Sequence, residues 1–289
     1  MNYFKTGLLM AAMTVILVMV GHFIDAGVGS NMFTVIFLFI ALGINFVSYW
    51  YSDKIVLSLY RAKPLSKNQA PELHDIIERL SQRAGMPKPR LYIAPMDVPN
   101  AFATGRNPEN AVVCVTSGIM RLLPRRELEG VLAHELSHVK HYDTLVMSVT
   151  AAIAGIISLV GRIAFWTALL GGGGRADDDN VLGHLFMIII APLMAVMIQL
   201  AVSRTREYKA DEQGGRLCGD PDALADALER MEAYAKRSKQ KPVPATSHLF
   251  IVNPAAGKKS LLELFSTHPS TAKRVRKLRE LAAGLNTAY

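Results

Sequence analysis

Four long apolar runs set the rhythm of the chain, and polar, helix-patterned segments fill the spaces between them. Residues 6–24 and 32–51 contain no Asp, Glu, Lys or Arg, and each is long enough to cross a bilayer core as a helix. Residues 144–170 form a third run, interrupted by Arg162, and residues 181–202 a fourth. The polar intervals are patterned for a folded body. Pro71–Ala84 places Leu73, Ile76, Ile77 and Leu80 on one helical stripe and meets a stop at Gly85. Residues 90–94, 100–104 and 111–116 are short β-like runs separated by Pro and Gly, which predicts a small sheet. A helix follows Pro124, with Leu128, Val131, Leu132, Leu136 and Val139 at helical spacing. Asp220-Pro221 opens another, to about residue 239. A polar loop follows over residues 238–246, a plain linker or a flexible lid with the linker favoured, and a basic helix over about 270–283 ends the pattern at Gly284.

Basic residues orient the runs. Lys5 precedes the first, residues 25–31 have no Lys or Arg, and Lys54, Arg61, Lys63 and Lys67 follow the second. The positive-inside rule puts both ends of this hairpin in the cytoplasm. Asp177, Asp178 and Asp179 lie between the third and fourth runs, and Arg204, Arg206 and Lys209 follow the fourth, which predicts an outside loop and a cytoplasmic return. Arg162 leaves two arrangements open for the third run: a crossing over 144–160 followed by an interfacial stretch, or a segment packed partly against protein. The expected architecture is a multi-pass membrane protein with four transmembrane helices and a mainly α cytoplasmic domain, α+β in class. Residues 1–52 form the N-terminal transmembrane hairpin, with spans at about 6–24 and 32–51. Residues 53–143 form the first part of the body, 144–202 a second membrane hairpin, and 203–289 the rest of the body.

Composition agrees with a membrane location. The chain is 51% hydrophobic and carries a net charge of +8. Basic residues flanking the runs account for the charge, and no nucleic-acid-binding motif or basic-aromatic pattern accompanies it, so a nucleic-acid partner is excluded. The two cysteines, Cys114 and Cys218, form no C-x-x-C pair and read as reduced structural thiols.

The chemistry concentrates in His134-Glu135-Leu136-Ser137-His138. On a helix the two imidazoles lie one turn apart on one face, where both reach a single tetrahedral ion, and Glu135 sits about 100° around the axis. This is the arrangement of zinc proteases, and a catalytic zinc needs a third protein ligand beside an open position. A metzincin is excluded, since position 144 is Thr and position 141 is His. The first Glu downstream is Glu207, the expected third ligand, which makes the domain gluzincin-type. Asp211, one turn further, is placed to accept the second ring N–H of a metal-bound histidine, His134 in particular, whereas Glu212 falls on another face. A single zinc ion is the expected cofactor. Glu135 would take a proton from water and return it to the leaving amine. The β-like segment Asn100-Ala101-Phe102-Ala103, or alternatively residues 111–115, could bind a substrate peptide as an added strand; a plain core strand is an equally open reading of each.

Two N-terminal spans, the His134–His138 motif, two further apolar runs and Ser203-Arg204 with Glu207 and Asp211 together resemble the membrane-bound HtpX heat-shock protease family, relatives of the CAAX prenyl proteases. Asn100-Ala101-Phe102-Ala103 and Thr267-His268-Pro269-Ser270 fit the same pattern, so the resemblance covers nearly the whole chain. It implies a zinc endopeptidase of the bacterial inner membrane, with a cytoplasmic active site, acting on damaged or misfolded membrane proteins. It also implies that His268 stabilises the oxyanion, with Arg274 as a supporting charge. Two other readings remain open at this point: a CAAX-type prenyl protease, and a non-enzymatic membrane scaffold or chaperone with a structural zinc. An intact Glu135 argues against the scaffold, because a structural site has no use for a base beside an open position.

Overall fold

The computed structural model describes residues 2–154, 156, 204–237, 249–251 and 269–286. Helices α1 (Asn2–Val28) and α2 (Met32–Leu59) pack along each other. They are the two helices among the described residues long and apolar enough to cross a membrane. Phe4, Phe39 and Phe46 stand bare on their outer surface, an apolar exposure that calls for lipid rather than water. Between the helices, buried Asn45 donates through Nδ2 to the Met10 carbonyl (3.2 Å) and to Thr14 Oγ1 (2.8 Å). In a medium without water such bonds fix how two helices register.

Both helices overshoot the runs expected from the sequence. The second continues past residue 51 through a break at Tyr51 (φ −120°, ψ 15°), because Ser52, Val56 and Leu57 find a buried surface on the body. Val56, Leu57 and Tyr60 join Phe102, Val112, Cys114 and Met147 in one apolar cluster, and the Tyr60 and Phe102 rings lie 4.6 Å apart. At the break, the Arg106 guanidinium sits over the Trp50 ring (4.6 Å) and the Lys54 ammonium over Tyr51 (5.0 Å). Aromatic rings with cations beside them are what a membrane–water boundary favours.

The sheet contains β1 (Lys63–Pro64), β2 (Arg90–Ala94), β3 (Ala101–Thr104) and β4 (Val112–Thr116) in the order β1-β2-β4-β3. β2 and β4 run parallel and the other pairs antiparallel. β4 is buried on both faces between β2 and β3, so the alternative of residues 111–115 as a substrate-binding edge is corrected: the outer strand on that side of the sheet is β3, the other outer strand being β1. α3 (Pro71–Ala84) covers the sheet with its predicted stripe and ends at Gly85, whose φ of 67° is the left-handed turn that glycine permits. Then come α4 (Ser117–Leu122), α5 (Arg125–Lys140), α6 (Asp143–Ala154), α7 (Arg204–Cys218), α8 (Pro221–Arg237) and α9 (Thr271–Asn286). Asp220 Oδ1 accepts from the Ala223 N–H at the start of α8, as the sequence predicts. α9 runs through Gly284 instead of stopping there, since that glycine keeps a negative φ.

α6 carries the first part of the third apolar run, and its residues 145–154 are buried. Leu145, Val149 and Ile153 pack on Leu9 and Met13 of α1, so this part is covered by protein. The rest of that run beyond residue 156, and the run at 181–202, lie outside the described residues.

α5 and α7 touch at a glycine. A Cβ on Gly214 would stand 2.8 Å from the backbone N and Cα of His134, so the helices approach this closely only because position 214 lacks one. Gly214→Ala should therefore cost about 1–3 kcal/mol in unfolding measurements in detergent, through forced separation of the helices. Gly284→Ala, where the added methyl meets nothing within 4 Å, should instead be neutral or gain about 0.5–1 kcal/mol.

Candidate metal centre

α5 is a helix for ordinary reasons. Pro124 precedes it, Glu127 sits in its first turn, Lys140 in its last, and Leu128, Val131, Leu132, Leu136 and Val139 are buried. That amphipathic placement turns His134, Glu135 and His138 inward as well, all buried. α7 brings up Glu207 and Asp211, also buried, on the facing side.

His134 Nε2 and His138 Nε2 lie 3.3 Å apart. Glu207 Oε1 is 3.4 Å from His138 Nε2, and Glu207 Oε2 is 3.9 Å from His134 Nε2. Three donor atoms at about 2.0–2.1 Å from a tetrahedral ion stand about 3.3–3.4 Å from one another, so two separations already match and the third needs a small rotation of the Glu207 carboxylate. Charge points the same way. Asp143 pairs with Arg206 and Asp211 with Arg274, while Glu135 and Glu207 stand beside the two imidazoles, an acidic surrounding that suits a cation. The residues present fit the ion that the sequence calls for.

Glu135 accepts from the Ala103 N–H through Oε2 (2.9 Å) and lines a small cavity with the three donors. Burial pushes its pKa up and Glu207 adds to this, while His134, His138 and the Ala103 N–H oppose the rise. A carboxyl raised from its ordinary range is closer to the protein's working pH, as a general base requires. The other walls of the cavity include Phe102, Met147 and Phe250, so its lining is mixed: a charged floor under apolar sides. Its free space, part of it open to solvent, is about 280 Å³.

Asp211 Oδ1 stands 3.0 Å from His134 Nδ1, although the ring N–H is not well aligned with it. The Arg274 guanidinium grips Asp211 with two bonds, Nε to Oδ2 (2.8 Å) and Nη2 to Oδ1 (2.7 Å). Burial opposes ionisation of Asp211, but the charge and fork of Arg274, with His134, hold its carboxyl at about 2. Arg274 thus stands behind Asp211, 4.0 Å from Glu207 Oε2, and is absent from the cavity wall, so the structure gives it a supporting place rather than one facing a reacting carbonyl. His268 lies outside the described residues.

The expected substrate strand is adjacent to these groups, though its members differ. Asn100 bonds Thr116 through its backbone. Its side chain clamps a neighbouring segment, Nδ2 donating to the Leu249 carbonyl (3.1 Å) and Oδ1 accepting from the Ile251 N–H (3.2 Å). The alternation of an antiparallel pair aims the backbone groups of Ala101 and Ala103 away from β4, and the Ala103 bond to Glu135 agrees. Phe102 lends its side chain to the cavity.

Sequence reasoning missed Asp143. Its Oδ2 lies 3.2 Å from His138 Nδ1, and its Oδ1 3.4 Å from Arg206 Nη1. Five residues along a continuous helix would carry Asp143 about 140° away from His138, which hid the relation. The available signal was a lone acid between the motif helix and an apolar run. Burial resists charging the His138 ring, but Asp143, Glu207 and Glu135 outweigh it and push its pKa up to about 9.

Two histidines and a glutamate around one point, a buried carboxylate next in chain to the first histidine, and the outer strand β3 beside them define a metal-dependent peptidase centre. The sequence profile of peptidase family M48 matches residues 67–282, and the chain belongs to that family, in its HtpX branch. A protease HtpX homolog of Thermococcus sibiricus is 49% identical over 99% of this chain and 98% of its own length. The Pyrococcus furiosus homolog is 50% identical over 99% and 98%, and that of Desulfatibacillum aliphaticivorans 49% over 96% and 89%. Among solved structures, Ste24p of S. mikatae is similar in fold, with a TM-score of 0.51 at 20% identity; the match covers 96% of this chain and 65% of that one. The chain is a membrane-bound metalloprotease, and its substrates are proteins.

Arg274→Met would leave Asp211 charged and buried without its partner. We expect a loss of about 3–5 kcal/mol at neutral pH, read by denaturant unfolding of the metal-free protein. In the wild type, a folded-state carboxyl at about 2 against about 3.9 when unfolded gives stability that is complete above pH 4 and disappears as pH falls toward 2. The variant should lose that acid-side slope, and an unchanged slope would contradict the pairing.

Proposed function

We propose that the chain is a zinc-dependent endopeptidase of the bacterial inner membrane, working from the cytoplasmic side on damaged or misfolded membrane proteins. The single observation that carries the chemistry is the convergence of His134, His138 and Glu207 within 4.8 Å of one another beside Glu135. One zinc ion held by these three would supply a Lewis acid that acidifies water and polarises the scissile carbonyl. Glu135, with one oxygen fixed by Ala103, takes the proton from the attacking water and delivers it to the leaving amine. Asp211 steadies the His134 ring and Arg274 steadies Asp211. The backbone N–H and carbonyl of Ala101 and the carbonyl of Ala103 turn away from β4 and could pair with an extended peptide, the Ala103 N–H being kept by Glu135, and Phe102 offers an apolar contact. His268 is proposed as the donor to the developing oxyanion, on the family pattern.

The membrane part of the proposal rests on the hairpin 1–52 and the apolar runs within 144–202, a four-span arrangement dividing the body into 53–143 and 203–289. Two crossings between His138 and Glu207 keep all three ligands on one side, and the basic flanks put that side in the cytoplasm. Substrates in or near the bilayer are favoured because α2 joins the body beside β3, through Tyr60 against Phe102.

The test is cleavage of an unfolded protein such as casein by detergent-solubilised enzyme. Chelation should abolish it and zinc should restore it. Glu135→Gln should lower the rate by about 10²–10⁴-fold with one zinc still bound per chain, and a variant that retained the wild-type rate would overturn the mechanism.

A further inference from the structure

The chain turns sharply between α5 and α6, and the turn has a purpose at the metal site. α5 ends at Lys140, His141 follows with φ −96°, and Tyr142 adopts φ 60°, the left-handed region that a side chain with a Cβ enters at a cost of about 1–2 kcal/mol. This reversal delivers Asp143 back beneath the helix it has just left, 3.2 Å from His138 Nδ1. Asp143 is 6% exposed, so its carboxylate is committed to protein partners. Arg206 reaches it from α7, one residue before Glu207 and 63 residues along the chain.

We propose that Asp143 is the positioning residue for His138, and that Arg206 holds Asp143 in place. By accepting the Nδ1–H, the carboxylate fixes the tautomer that leaves the Nε2 lone pair free, sets the plane of the ring, and makes that nitrogen a better donor. The two histidines then have separate supports: Asp211 with Arg274 for His134, Asp143 with Arg206 for His138. The second support also ties the residue entering the 144–202 stretch to a residue just after it. The metal site and the base of that insertion are therefore held by one ion pair.

This inference rests on the reading of His134, His138 and Glu207 as metal ligands, and the experiment separates the two. Zinc dissociation constants would be measured by chelator competition on the full chain in detergent, alongside the thermal midpoint of the metal-free protein. The variants are Asp143→Ala, Asp143→Ser and Asp143→Asn. Serine keeps a polar group in the first turn of α6 but is too short to reach His138, whereas asparagine keeps an oxygen that accepts from Nδ1–H. We expect Ala and Ser to weaken zinc binding about 10–100-fold and Asn to restore it to within a few-fold of wild type, with the metal-free midpoint alike in Ser and Asn. Arg206→Gln should weaken binding by less, and add nothing on the Asp143→Ala background. Wild-type affinity in a folded Asp143→Ser protein would show that Asp143 does not act through His138 and overturn the proposal. Loss in Asn equal to that in Ala would overturn it in favour of a bare salt bridge to Arg206. Absence of zinc binding by the wild type would sink the ligand assignment itself.

Discussion

The proposed metal donors His134, His138 and Glu207 come from two helices, α5 and α7, separated in sequence by a long apolar stretch, and the donor set depends on contact between those helices. Gly214 against the His134 backbone sets how near they come. Gly130 does the same for α5 and α8, where a Cβ would meet the Leu224 nitrogen at 2.7 Å. Around these contacts the core of Val131, Leu132, Leu136, Leu224 and Leu228 holds α5 from both sides. Ion pairs on the rim, Glu127 gripped by both ends of the Arg230 fork and Arg279 bridging Asp222 and Asp226, tie α8 to its neighbours α5 and α9. Packing and ion pairs together position the donors, which is what a catalytic metal needs from the groups around its ligands.

Burying these groups carries an electrostatic cost. Carboxylates and imidazoles that water would solvate are held in a pocket lined by Phe102, Met147 and Phe250. Each buried charge survives because something faces it: Arg274 for Asp211, Arg206 for Asp143, the Ala103 N–H for Glu135. The same reasoning explains the inert thiol of Cys114, whose burial pushes its pKa up to about 12 and removes it from competition for the metal.

Much of this was legible in the sequence because the governing signals were local. Gly85 ended α3, Asp220 opened α8, and five apolar residues at helical spacing turned the histidine motif inward. Glu207 and Asp211 could be picked out because one helical turn is a fixed spacing. What escaped depended on turns and on neighbours distant in the chain. Asp143 was hidden by the left-handed Tyr142, which no helical count anticipates. Asn100 looked like a free edge residue, yet its amide is used by Leu249 and Ile251, far along the chain. The break at Tyr51 and the extension of α2 to Leu59 followed from a tertiary surface, since burial of Val56 and Leu57 overrode the end of the uncharged run. Gly284 was read as a stop from residue type alone, whereas its backbone stays helical.

The central claim is the donor set, and X-ray absorption at the zinc edge of the purified, zinc-loaded protein addresses it without reference to activity. The account predicts about one zinc per chain with two imidazole nitrogens at about 2.0–2.1 Å, a carboxylate oxygen, and no sulfur shell. A sulfur scatterer at about 2.3 Å, or an oxygen-only shell without imidazole, would contradict it.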